Sequence, residues 1–80
     1  MLQKELTTKK KAVGIKQTGK AIRDQRAVRV YLACNADPAV IDPLREQAAA
    51  ASVPVCDSYT MEQLGQAAGI AVGAAAVALL

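Results

Sequence analysis

The sequence has no histidine, no tryptophan and no phenylalanine. Without an imidazole, Ser/His/Asp and Cys/His nucleophile systems cannot be assembled. Zinc sites that depend on histidine, such as H-E-x-x-H, are excluded as well. The two cysteines, Cys34 and Cys56, are too far apart for a C-x-x-C motif and too few for a four-cysteine zinc site. They are expected to be buried free thiols in strands rather than a disulfide. Only two residues are aromatic, Tyr31 and Tyr59, so the core must be assembled from small side chains, and seventeen residues are alanine. A hydrophobic content of 52% is too high for a disordered tail. Eighty residues support one domain, residues 1–80. A chain of this size buries roughly 60–65% of its unfolded surface, which leaves little room for a deep catalytic cleft. No enzymatic activity and no cofactor are expected.

Charge is unevenly placed. Residues 1–29 hold nine of the ten basic groups and two of the seven acidic ones. Residues 30–80 hold Arg45 and five carboxylates, Asp37, Asp42, Glu46, Asp57 and Glu62. A basic half on a compact domain suits a polyanionic partner; the plainer reading is a solvated lysine-rich surface.

Residues 1–11 carry no apolar core of a secretory signal, and a cytoplasmic location is expected. Residues 64–80 are uncharged, and Gly65, Gly69 and Gly73 repeat at the spacing of membrane helix packing. That stretch is shorter than the ~20 residues of a membrane span. It is dominated by Ala and Gly and lacks flanking basic or aromatic anchors, so no membrane partner is expected.

The apolar pattern alternates between helix and strand. A short amphipathic helix is expected over residues 2–9, a strand over 12–15 and a helix from Lys16 or Gln17 to about Asp24. That helix would turn Thr18, Ala21 and Ile22 inward and Lys16, Lys20 and Arg23 outward. The clearest strand covers residues 28–34. Asn35-Ala36-Asp37-Pro38 reads as a turn, and Asp42-Pro43 as a helix start with Leu44, Ala48 and Ala51 on one face. Residues 53–56 form a further strand, with Pro54 at a sheet edge or strand start. Thr60 to Gln63 is a capping box opening a helix that presents Leu64, Ala67 and Ala68 and ends at Gly69. Residues 70–73 are expected as a loop and 74–79 as a buried strand. Alternating βα units in this length imply an α/β fold, a small α/β/α sandwich.

Gly14-Ile15-Lys16-Gln17-Thr18-Gly19-Lys20 matches the phosphate-loop pattern G-x-x-x-x-G-K. Ala21 follows where a Mg²⁺-binding hydroxyl is needed, and the chain is too short for the accompanying sheet. NTP hydrolysis is therefore disfavoured. A phosphate-binding helix N-terminus with exposed lysines remains.

The same segment, Gly14-Ile15-Lys16-Gln17-Thr18-x-Lys20, resembles the RNA-binding motif of the kink-turn-binding ribosomal proteins of the L7Ae type. Archaeal and eukaryotic members carry G-x-N-E-x-x-K, and short bacterial members carry G-x-K-Q-x-x-K. Ala36-Asp37-Pro38 is similar to the family's A-D-P turn, and residues 64–77 to its closing helix, loop and strand. The resemblance covers about residues 10–80. It implies a three-layer α/β/α sandwich around a mixed four-stranded sheet. It also implies an RNA site. Gly14 and Ile15 begin it, Lys16 and Gln17 reach sheared G·A pairs, and Lys20 faces phosphate; by charge alone, Arg23, with Arg26 or Arg29 nearby, extends the phosphate-neutralising patch. Ile70, Ala71 and Val72 would meet bulged, unstacked nucleotides. The implied partner is structured RNA containing a kink-turn, whether ribosomal, riboswitch or leader RNA, with the ribosome as a further partner and the protein a monomer.

Side-chain chemistry is consistent with that implication. Gln can donate and accept at a base edge, and Lys can donate to guanine O6 or N7. By default, however, Ile70 and Val72 are core residues, and Gln17, Lys20 and Arg23 a solvated face. The competing function class is a ribosome-associated structural or assembly protein acting mainly through protein contacts.

Overall fold

The computed structural model describes residues 10–69 and 73–80. Seven elements follow in order: β1 (Lys11–Val13), α1 (Ile15–Arg23), β2 (Arg29–Leu32), α2 (Pro38–Ala50), β3 (Val55–Cys56), α3 (Met61–Ala68) and β4 (Ala76–Leu79). The strands form one mixed sheet in the order β1-β4-β2-β3. β4 runs antiparallel to both β1 and β2, and β2 is parallel to β3. The helix expected over residues 2–9 lies outside the described residues.

Successive strand residues point to opposite faces of a sheet, so burial of consecutive residues requires cover on both sides. Val30, Tyr31 and Leu32 are buried, as are all four residues of β4. The result is the α/β/α sandwich. α1 and α2 pack on each other, α1 also lies on β4 and β1, and α3 packs on β4. Ala76 and Ala78 stand opposite Leu32 and Val30, and Ala12 opposite Ala78, so alanine fills much of one sheet face. Val13 and Tyr31 flank Val77 on the other. The ring of Tyr31 meets Tyr59 edge to face at 6.4 Å.

Several boundaries differ from the sequence reading. α2 begins at Pro38, five residues before the expected Asp42-Pro43 start, because Asp37 is its cap: the Asp37 carboxylate accepts the Ala39 N–H at 2.9 Å. Pro43 then sits inside the helix. With no N–H of its own it gives up one helical hydrogen bond. Ala51, expected on the inner face, is the exposed C-cap. Ile15 opens α1 instead of closing β1. Cys34 is exposed beyond the end of β2 rather than buried within it, and Cys56 is half-buried; both are free. α3 carries the full capping box at Thr60 and ends at Gly69 in the left-handed conformation, φ 79°. The uncharged stretch 64–80 is divided between α3 and β4, and no helix among the described residues is long and apolar enough to cross a membrane.

Candidate nucleic-acid interface

The chain leaves β1 at Val13 and turns sharply into α1 through Gly14, whose φ of 103° and ψ of 163° suit a residue without Cβ. A Cβ built there would meet nothing within 4 Å, so the backbone is open on that side. The Gly14 N–H donates to the Ala76 carbonyl at 2.9 Å, and the Gly14 carbonyl accepts the Thr18 N–H at 2.9 Å. This is the first bond of the helix, and among the described residues no side chain caps it. The N–H groups of Ile15, Lys16 and Gln17 precede that bond and project from the helix end, where the dipole favours an anion.

α1 is sharply two-sided. Thr18, Gly19, Ala21 and Ile22 are buried, whereas Lys16, Gln17, Lys20 and Arg23 are exposed. Among the described residues, the three cations form no ion pair. Arg45, by contrast, is held by Asp57 at 2.9 Å and Asp42 at 3.9 Å. Ile15 is half-buried against the core. Gly19, the second glycine of the phosphate-loop pattern, lies inside the helix against α2: a Cβ there would be 3.3 Å from Leu44 Cδ2. The residues between the two glycines are helical, so no loop wraps a phosphate and the resemblance to a nucleotide-binding motif is superficial.

A second segment arrives at the same end of the sheet. The Ala33 N–H donates to Ala75, and the Ala74 N–H to Met61, at 2.9 and 3.0 Å. Gly73 packs directly on Met61, with space too tight for a free Cβ at 3.2 Å. Because Ala76 accepts from Gly14, the chain entering β4 runs in beside the N-terminus of α1. The expected contacts Ile70, Ala71 and Val72 lie outside the described residues. The structure thus gathers Gly14, Ile15, Lys16, Gln17, Lys20 and Arg23 on one helix and its entry.

The sequence reading missed a concavity of about 370 Å³ between β1 and α1, lined by Lys11, Val13, Gln17, Lys20, Arg26 and Leu80 among others. Lys11 and Arg26 belong to the basic half, but only the β1–β4 pairing and the end of α1 bring them to one groove.

The ribosomal protein L7Ae/L30e/S12e/Gadd45 family model matches residues 1–80. An RNA-binding protein of Geobacillus sp. (strain WCH70) is 45% identical over 78 residues, covering 98% of this chain and 95% of that protein. The RNA-binding protein YbxF of Geobacillus stearothermophilus is 41% identical over the same length, with the same coverage. A solved structure titled as a protein with unknown function from Bacillus halodurans superposes with a TM-score of 0.85 over 98% of this chain and 78% of that one. Its identity is 19%, and the likeness is one of fold.

Proposed function

The chain belongs to the ribosomal protein L7Ae/L30e/S12e/Gadd45 family, and from that premise we propose that it is a non-enzymatic RNA-binding protein that recognises and stabilises kink-turns. The observation that carries the reading is the exposed row Lys16, Gln17, Lys20 and Arg23 on a helix whose N-terminus is uncapped. The names of its relatives as RNA-binding proteins support it.

The major groove of an A-form helix is too deep and narrow for side chains to read, so recognition targets distorted or unstacked sites. A kink opens that groove. The N-terminus of α1 then enters it, the free N–H groups and Lys20 and Arg23 meet phosphate, and Lys16 and Gln17 address the G·A edges. Gly14 lets the RNA backbone approach the chain. Ile70, Ala71 and Val72 cover the unstacked bulge. Residues 1–80 act as one domain, as a monomer in the cytoplasm, on ribosomal, riboswitch or leader RNA.

The test compares a kink-turn RNA with the same RNA after its G·A pairs are replaced by Watson–Crick pairs. The replacement should cost about 1–3 kcal/mol per lost bidentate contact. Equal affinity for the two RNAs would refute the reading.

A further inference from the structure

The concavity between β1 and α1 starts at the proposed RNA site, since Gln17 and Lys20 line it, and leads away from that site to Arg26 and Leu80. Among the described residues that line it, Lys11, Lys20 and Arg26 are cationic and none is acidic. Asp24 lies one helical turn beyond Lys20 but is not part of the lining, and it forms no ion pair among the described residues.

The far end of the groove is set by the way α1 stops. Gln25 adopts the left-handed conformation at φ 58°, unusual for a residue with a side chain. The chain thereby folds back, and the N–H groups of Arg26 and Ala27 both donate to the Ala21 carbonyl, at 2.9 and 3.2 Å. Ala21 itself lines the groove. The backbone of Arg26 is therefore anchored beside the concavity rather than carried there on a loose loop. On the opposite wall, Lys11 is fixed by β1, whose pairing with β4 is extended by the Leu80 N–H donating to the Lys10 carbonyl at 3.0 Å.

We infer that this groove is a phosphate track: it receives the sugar–phosphate backbone of the helical stem that continues beyond the kink, with Lys11 and Arg26 as its distal phosphate contacts. Gln17 and Arg23 are about 9 Å apart along the helix axis at ~1.5 Å per residue, and Arg26 lies past that end. A span of that length covers more than one consecutive phosphate of a single strand. A row of cations carried on anchored backbone along a concave wall matches a repeating anion better than it matches a base edge. The inference rests on the RNA-binding reading and extends its footprint.

The experiment measures binding of wild type and the Lys11→Ala/Arg26→Ala double variant across a salt series. Two kink-turn RNAs are used, one with an extended stem and one trimmed close to the kink. Wild type should bind the extended RNA more tightly and with the steeper salt slope. The double variant should lose that advantage and shallow the slope on the extended RNA by about one to two units, at ~0.9 per phosphate contact. Its preference for the kink over a plain duplex should remain. Arg26→Lys, which keeps the charge, should retain most of the slope, and melting curves confirm that each variant is folded. Identical slopes for wild type and the folded double variant on the extended RNA would overturn the track. Loss of kink preference in wild type would instead overturn the proposed function, and the slope comparison on a plain duplex would still decide the groove.

Discussion

Gly14→Ala isolates the geometry on which the site is built. At φ 103° and ψ 163° the residue lies in a region reached essentially by glycine alone, where another residue is strained by about 1–3 kcal/mol. Restricting the unfolded chain gives back about 0.4–1 kcal/mol. No steric cost is added, because the new methyl meets nothing within 4 Å. The net loss should be about 0.5–2 kcal/mol. For a domain of this size that lowers the melting temperature by about 2–16 °C. D-alanine at position 14, introduced by chemical ligation, supplies the control, since a positive φ is natural to it. Its melting temperature should equal or exceed that of wild type. An unchanged melting temperature for Gly14→Ala, or equal losses for the two enantiomers, would refute the claim that backbone strain sets the requirement for glycine here.

At Gly19, Gly19→Ala should be nearly neutral in denaturant unfolding. The helix gains about 1 kcal/mol, but the methyl presses on Leu44 at 3.3 Å. Gly19→Val should destabilise by about 1–3 kcal/mol through overpacking. The Thr18 hydroxyl is fully buried with no hydrogen-bond partner among the described residues, so Thr18→Val should raise stability by about 1 kcal/mol; a loss would show that the hydroxyl is satisfied in solution. Val72→Ser should weaken kink-turn binding by about 1 kcal/mol or more without changing the salt slope, as expected for a lost apolar contact with an unstacked base. A lower melting temperature with unchanged affinity of the folded fraction would remove Val72 from the site.

The elements that local chemistry marks were legible in the sequence. The capping box at Thr60 and Gln63, the glycine stop at Gly69 and the two faces of α1 all stand where the pattern put them. The start of α2 was misread because the pair Asp-Pro occurs twice, at residues 37–38 and 42–43, and either can open a helix. The structure uses the first, where the Asp37 carboxylate caps Ala39. Cys34 was placed in a strand because its neighbours are apolar, but β2 ends at Leu32 and the chain turns outward. On the site, the helix residues were visible as a motif, whereas the groove was not. Its walls come from residues 11–13 and from Gln17, Lys20, Ala21 and Arg26, joined by Leu80, and no local pattern reports that the last strand of the sheet pairs beside the first.

β4 is the last of the four strands in sequence and occupies an interior place in the sheet, between β1 and β2. Those two strands have no hydrogen bonds to each other, and their register exists only through residues 76–79. During synthesis β1 therefore waits for its partner until residues 76–79 have been made, with its long-range contacts formed late. A chain interrupted before residue 76 would retain the whole basic half but could not close its sheet. Its unpaired strand edges and uncovered apolar faces are expected to make such a product aggregate rather than act as a weaker form of the same protein.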